Sequence, residues 1–437
     1  MARVVVVGGG FGGMAAAARL AKLGHDVTLL ERADSLGGAL STVELDGFAW
    51  DAGPTSTLLP AVIRDLFRKS GRPLEREVDL QPLVHVREHR FADGSVLRLP
   101  GGSRAAQVAA VDGLGPGLGR QWVDHVAAYG ATWELLRKEW FERPFDDVVA
   151  PHELTALLGV RESLEKRLRR TFRDERLQLV AGHRLVMDGH DLRDVPFFAG
   201  VDVYLEQRFG AWTVPGGLAA LGAAMADRLT LRGVTVLTGT TAVDLVVSGG
   251  RVSGVRTGRG EVPADHVVVA VDPRRLPALA RYVRRTMPAI PPVVCHVGLV
   301  GSRDVDVPDL PHEVVLHGDP LLVVRTGGRA PEGGAAWTVL ARGRIAEDVL
   351  TALARHGIDV RDQVAARVDR SPRDLVERWG GSPHGVLWQG PRTARSRLGP
   401  RTPIDGVLAA GAHATTGSGL PFAALSAALV AEVVGRA

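Results

Sequence analysis

The first thirty residues leave few folds available. Arg3 to Val7 is a continuous run rich in β-branched residues, which suits a strand buried on both faces. Gly8-Gly9-Gly10-Phe11-Gly12-Gly13 follows at once. Met14 to Leu23 reads as an Ala-rich helix ended by Gly24, and Val27 to Leu30 is a second apolar strand closed by Glu31. This order predicts a βαβ unit carrying G-x-G-x-x-G at Gly8, Gly10 and Gly13. Gly8 allows the tight turn, Gly10 lets backbone approach a pyrophosphate, and Gly13 lets the helix pack closely on the strand. The helix N-terminus offers free N–H groups and a partial positive charge to phosphates. Glu31 stands 18 residues after Gly13, where a carboxylate can accept hydrogen bonds from an adenosine ribose. The pattern predicts a dinucleotide site; the bland alternative is a Gly-rich turn used only for packing. Taken alone it does not separate NAD from FAD.

Composition narrows the rest. A chain of 437 residues, 45% hydrophobic and 23% charged, is an ordinary globular protein of two or three domains. It is long enough to bury about three quarters of its unfolded surface without staples. Cys295 is the single cysteine, which removes disulfide frameworks, iron–sulfur clusters and Cys-based zinc sites. The net charge is only +4, and Lys occurs only at Lys22, Lys69, Lys138 and Lys166. The high pI follows from the Arg excess, so no nucleic-acid partner is expected. Met1-Ala2-Arg3 enters the Val run without a signal-peptide pattern. No apolar stretch reaches the roughly 20 residues that span a bilayer. Pro421 to Val434 comes closest, and it carries Glu432. The expectation is a cytoplasmic protein, with peripheral membrane contact left open.

Beyond the βαβ unit the chain reads Glu31-Arg32-Ala33-Asp34-Ser35-Leu36-Gly37-Gly38-Ala39, then Gly47-Phe48-Ala49-Trp50-Asp51-Ala52-Gly53-Pro54-Thr55. With the opening glycines this resembles the FAD-binding start of the phytoene desaturase family, within the amine-oxidase-like flavoproteins. Trp212-Thr213-Val214-Pro215-Gly216-Gly217-Leu218 resembles that family's Y-P-x-G-G-M element. The end of the chain, Ile404 to Ala410 and then Gly411-Ala412-His413 and Gly417-Ser418-Gly419-Leu420-Pro421, resembles its closing V-G-A-G-T-H-P-G-x-G-x-P motif. The likeness is near full length, strong at both ends and around 212–272.

The resemblance implies FAD as cofactor and an α/β fold: a discontinuous Rossmann-type FAD domain with an inserted α+β substrate domain and a helical subdomain. Residues 1–75, 205–275 and 386–437 would form the FAD domain, and 76–204 and 276–385 the substrate part. It implies FAD contacts at Gly8, Gly10, Phe11, Gly12, Gly13, Glu31, Arg32, Gly37, Gly38, Ala39, Gly53, Pro54 and Thr55. A backbone contact to the adenine is implied near Val243, and further contacts at Gly411, Ala412, Gly419, Leu420 and Pro421. A C-terminal helix starting at Pro421 would turn its positive end toward the flavin and stabilise negative charge near N1 and C2=O. One position departs from the pattern: the family's G-G-R arginine is Ala39 here, and Arg32 is the nearby candidate to compensate.

Within the first insertion, Trp122 to Glu142 and Leu154 to Arg173 read as helices, with Leu164, Leu168 and Phe172 as a buried stripe. The Arg and Glu residues of 161–176 read as a solvated ion-paired face, or alternatively as an anionic-membrane surface. The second insertion carries strands at Val293 to Val300, Glu313 to Leu316, Leu322 to Arg325 and Trp337 to Ala341, then a helix at Ala346 to Arg355. Asp112 to Gly119 contains a second G-x-G pattern, but Pro116 and the lack of a preceding strand make it a loop.

No G-x-S-x-G, H-E-x-x-H or Walker sequence is present. His183, His190, His296, His317 and His384 fall in the substrate part and read as structural. No acid–base residue is assigned, because a flavin N5 accepts hydride itself. Amine oxidases of this superfamily use a Lys–water pair and flanking aromatic residues. No Lys lies beyond Lys166 and Phe422 is the only aromatic residue of the closing motif, although Trp388 can contribute. The expected substrate is therefore a hydrophobic small molecule of polyene or isoprenoid type. Desaturation is the first expected reaction, with isomerisation or saturation on the same site. The alternatives are an oxidase of amines or other polar molecules, and a flavin- or lipid-binding protein without turnover. Nothing in the pattern names an electron acceptor.

Overall fold

The computed structural model describes residues 1–145, 149–301 and 306–437. Its central sheet is parallel. Arg3–Val7 pairs on one side with His266–Val269 and on the other with Asp26–Leu30. Val407–Ala409 and Thr235–Leu237 close the two edges. Val4 to Val7 are at most 4% exposed, as a strand covered on both faces requires. The Phe11–Lys22 helix begins three residues earlier than expected, with Gly10 as its extended N-cap. Met14 to Ala18 and Leu20 are wholly buried beneath the C-terminal helix Leu420–Val434. Ala residues on both helices permit this close packing.

A second, seven-stranded sheet joins both insertions. Its order is Val364–Arg370, Val293–Val300, Gly334–Arg342, Leu321–Arg325, Glu313–Leu316, His85–Arg90 and Val96–Pro100. The last two strands were not expected. The hairpin Ala242–Ser248 to Arg251–Thr257 turns at Gly249-Gly250 and continues into Gly260–Pro263, forming a small antiparallel sheet.

The helical part packs around Trp122, Trp133, Phe172 and Leu168. The region expected as one helix over Leu154 to Arg173 is two, His152–Leu158 and Leu164–Thr171. Gly159 ends the first, and the Ser163 hydroxyl caps the second by accepting the Lys166 N–H. Trp122 to Glu142 is likewise divided, into Leu118–Ala127, Gly130–Leu136 and a wide turn over Arg137–Phe141. The loop expected over Asp112 to Gly119 is shorter, Gly113 to Gly117 between the helices Arg104–Asp112 and Leu118–Ala127, and the Gly119 N–H donates to the Asp112 carboxylate across it at 2.8 Å. In the Arg-rich stretch, Glu162 takes Arg167 at 2.6 Å and Arg170 at 3.0 Å, and Asp174 takes Arg176 at 2.6 Å. Among the described residues no helix is long and apolar enough to cross a membrane.

Candidate active site

A cavity of about 680 Å³ runs from the first βα turn to the helical part. Its floor is assembled from distant glycine stretches. Gly8 takes φ +103°, a conformation that side chains resist. A Cβ on Gly13 would lie 1.9 Å from the Gly8 carbonyl, so only glycine lets this helix meet this strand. A Cβ on Gly12 would lie 2.6 Å from Gly411 Cα, so the opening and closing motifs touch through bare backbone. Gly10 differs, because a Cβ there meets nothing within 4 Å. That open space, facing the cavity, is the room a pyrophosphate needs beside the helix N-terminus.

Glu31 is fixed by its own neighbours. One carboxylate oxygen accepts the Gly9 N–H at 2.7 Å, and the other accepts the Ala33 N–H at 2.7 Å. Each oxygen keeps a further lone pair for a ribose hydroxyl, and Glu31 lines the cavity. Asp51 holds the opposite wall. Its two oxygens accept the N–H groups of Leu218 and Ala219, both at 2.8 Å, tying the Gly53-Pro54-Thr55 loop to the start of the Ala219–Leu231 helix. The Thr55 carbonyl accepts the Thr213 hydroxyl at 2.8 Å.

Of the residues singled out from the sequence, Gly8, Gly10, Phe11, Gly12, Glu31, Gly37, Gly38, Ala39, Gly53, Pro54, Thr55, Gly411, Ala412, Gly419, Leu420 and Pro421 line this cavity. Gly13 lies behind it as helix packing. Val243 is 47% exposed on the outer hairpin and does not line it; Val271 and Asp272 do. Arg32 does not line it either. Its guanidinium donates to the main-chain carbonyls of Glu377 and Arg378, at the end of the Pro372–Trp379 helix. Arg378 lines the cavity instead and brings a cation to it. Gly419 caps the C-terminal helix without a side-chain hydrogen bond, and no acidic residue stands in its first turn. Its positive end therefore faces the cavity uncompensated.

The other half of the cavity has two textures. Leu136, Trp140, Phe141, Phe198, Trp388 and Phe422 make an apolar side, with Trp388 edge-on to Phe198 at 5.9 Å and Phe141 5.2 Å from Phe422. Beside it lies a charged network that sequence reasoning missed. Arg87 meets Glu206 at 2.7 Å and Glu313 at 2.9 Å, and Glu313 also meets Arg325 at 2.9 Å. Burial alone would raise Glu313, but Arg325 and Arg87 outweigh it and hold the carboxyl well below the carboxylate range. Arg184 faces Asp202 at 3.4 Å, and His384 meets Asp188 at 2.8 Å. No local signal could reveal these pairs, since their partners stand 12 to more than 200 residues apart in the sequence. His183, His190 and His384 line the cavity. His296 lies in the seven-stranded sheet against Thr338, and His317, just past the Glu313–Leu316 strand, lies against His89, both at 2.9 Å. Among the described residues no Lys lines the cavity.

The family model for flavin-containing amine oxidoreductases matches residues 11–301, more than half of the chain. The protein belongs to that family. It is an FAD-dependent oxidoreductase, and the glycine floor, the fixed Glu31 and the free helix end are the features of this chain that fit FAD. It is 28% identical to a hydroxyneurosporene desaturase of Cereibacter sphaeroides, across 99% of this chain and 97% of that one. A 4,4'-diaponeurosporene oxygenase of Staphylococcus aureus is 24% identical, again over 99% and 97%. Among solved structures, cyclohexylamine oxidase from Brevibacterium oxydans shares the fold, with a TM-score of 0.68, 16% identity and 99% of each chain covered.

Proposed function

We propose that this flavoenzyme desaturates a C–C bond of a hydrophobic polyene or isoprenoid substrate. The observation that carries the reading is the joining of a dinucleotide floor to an aromatic and aliphatic pocket in one cavity with no Lys among its described lining residues. The full-length likeness to a carotenoid desaturase supports it.

FAD, when bound, supplies the hydride acceptor. Gly8 to Phe11, Gly37 to Ala39 and the N-terminus of the Phe11–Lys22 helix would receive the pyrophosphate, Glu31 the ribose, and Gly411 to Pro421 the flavin ring. The FAD-binding part would comprise 1–75, 205–275 and 386–437. Phe141, Phe198, Trp388 and Phe422 present flat faces that hold an extended chain in reach and exclude water. The free N-terminus of the Leu420–Val434 helix favours negative charge beside it, by about 0.3–2 kcal/mol. Such substrates partition into bilayers. Met287 and Ile290, 53% and 60% exposed just before the cavity residue Pro292, offer an apolar contact for drawing them from a membrane surface.

The test is anaerobic mixing of the FAD-loaded protein with liposomes containing phytoene or neurosporene. Bleaching of the oxidised flavin band, with a product of longer conjugation, is expected. Hydrogen peroxide release with an amine panel, and no bleaching by any polyene, would overturn the reading in favour of an amine oxidase.

A further inference from the structure

Two arginines that line this cavity, Arg378 and Arg397, form no ion pair among the described residues, and Arg397 is the one on the apolar side, over Trp388. Arg87 and Arg325 are matched by Glu206 and Glu313, and Arg184 by Asp202. Arg397 lines the same cavity and, among the described residues, forms no ion pair. Its Nη2 donates only a long bond, 3.4 Å, to the Val386 carbonyl, and its buried Nε has no partner. The guanidinium lies over the Trp388 ring, 4.5 Å from the centroid. Burial alone pushes its pKa down to about 10. Its charge adds to the burial that already lowers His190 and His413.

A guanidinium withdrawn from water without a carboxylate is costly, and such sites are completed by a ligand that brings the missing charge. The surroundings reinforce this. A Cβ on Gly417 would lie 3.1 Å from Arg397 Nη1, and two residues later the C-terminal helix begins at Gly419 with its N–H groups uncapped. Guanidinium and helix end thus present positive potential along one stretch of wall. That stretch adjoins the apolar side, because Trp388 stands against both Arg397 and Phe198. A chain lying along Phe198 and Trp388 would end at Arg397.

We infer that Arg397 recognises a negatively charged or strongly polarised oxygen, and that the substrate is a polyene or isoprenoid chain ending in a carboxylate or carbonyl. This rests on the hydrophobic-chain reading above and narrows it. A bare hydrocarbon would leave the guanidinium buried and unmatched; a terminal oxygen accepts its N–H groups while the aromatic faces take the chain.

The experiment uses the FAD-loaded protein and two probes of equal length, all-trans-retinoic acid and axerophthene, the same chain ending in a methyl group. Equilibrium titration should give tighter binding of the acid by about tenfold or more, the scale of a charge-assisted hydrogen bond. Arg397→Gln should remove that preference while leaving axerophthene affinity in place, and Arg397→Lys should restore part of it. Equal affinity of the two probes for the wild-type protein, a comparison independent of any variant, would overturn the inference and leave the hydrophobic-chain reading intact. So would a preference that survives in Arg397→Gln. A shifted flavin potential in Arg397→Gln with an unaltered preference would overturn it as well, by assigning the guanidinium to the cofactor. Failure of both probes to bind would overturn the inference and the hydrophobic-chain reading together.

Discussion

Gly10 and Gly13 stand three residues apart in one motif, yet substitution by Ala should act on different properties. At Gly13 the added Cβ would sit 1.9 Å from the Gly8 carbonyl oxygen. Ordinary contact begins above about 3 Å, so helix and strand must separate by about an ångström, through a core with no slack. Overpacking of this kind costs about 1–3 kcal/mol. At Gly10 the backbone has φ −70° and ψ 173°, which Ala adopts without strain, and the Cβ meets nothing within 4 Å. There Ala should stabilise the FAD-free protein by about 0.4–1 kcal/mol, through the unfolded chain. The same methyl occupies the space reserved for pyrophosphate and should weaken FAD by about tenfold or more, near 1.4 kcal/mol. With FAD well above its dissociation constant, that loss exceeds the gain, so Gly10→Ala changes sign between cofactor-free and loaded protein. The assay is denaturant unfolding of each variant with and without FAD, beside FAD titration by flavin fluorescence. Gly10→Ala that destabilises the FAD-free protein, or that binds FAD as wild type does, would refute the reasoning.

Other consequences are checked more simply. Arg378→Gln should weaken FAD by about tenfold, as loss of a charged phosphate contact, with little change in FAD-free stability; unchanged affinity would remove Arg378 from the cofactor site. Arg87→Met should cost about 3–5 kcal/mol of unfolding free energy, because Glu206 and Glu313 stay buried without their shared partner; a loss under about 1 kcal/mol in denaturant would contradict the network. His125, His296 and His317 are each pushed down to about 4, by burial above all. They stay neutral in the fold but protonate in the unfolded chain below about 6.5. Their contribution is complete above that pH and is lost as pH falls toward 4. A denaturation midpoint that is flat from pH 7 to 5 would count against these assignments.

What could be read in advance was whatever a short pattern controls. The opening βαβ unit, the Gly249-Gly250 hairpin and the strands Val293–Val300 and Glu313–Leu316 rest on local runs, and the structure has all of them. His85–Arg90 was illegible for the opposite reason. Arg87, Glu88 and His89 are buried there, and each is made tolerable by a partner elsewhere: Glu206 and Glu313, Arg98 and Arg90, and His317. A strand of charged residues reads as solvated surface until those partners are known. The site divides in the same way. Glycines and Glu31 announce themselves by spacing, whereas Arg32 is spent on carbonyls more than 300 residues away and Arg397 is notable only for a partner it lacks.

The contact between Gly12 and Gly411 also sets a timetable for synthesis. Val4 to Val7 leave the ribosome some 260 residues before the strand His266–Val269 beside them, and Val407–Ala409 follows later still. At about 5–20 residues per second this apolar segment waits on the order of 20–80 s for the chain that shelters it. Until Leu420–Val434 settles over Met14 to Leu20, the βαβ unit is an exposed, sticky fragment with half a cofactor site. Both halves of the floor must therefore be synthesised before FAD can be retained, a wait set by the residues between Gly12 and Gly411.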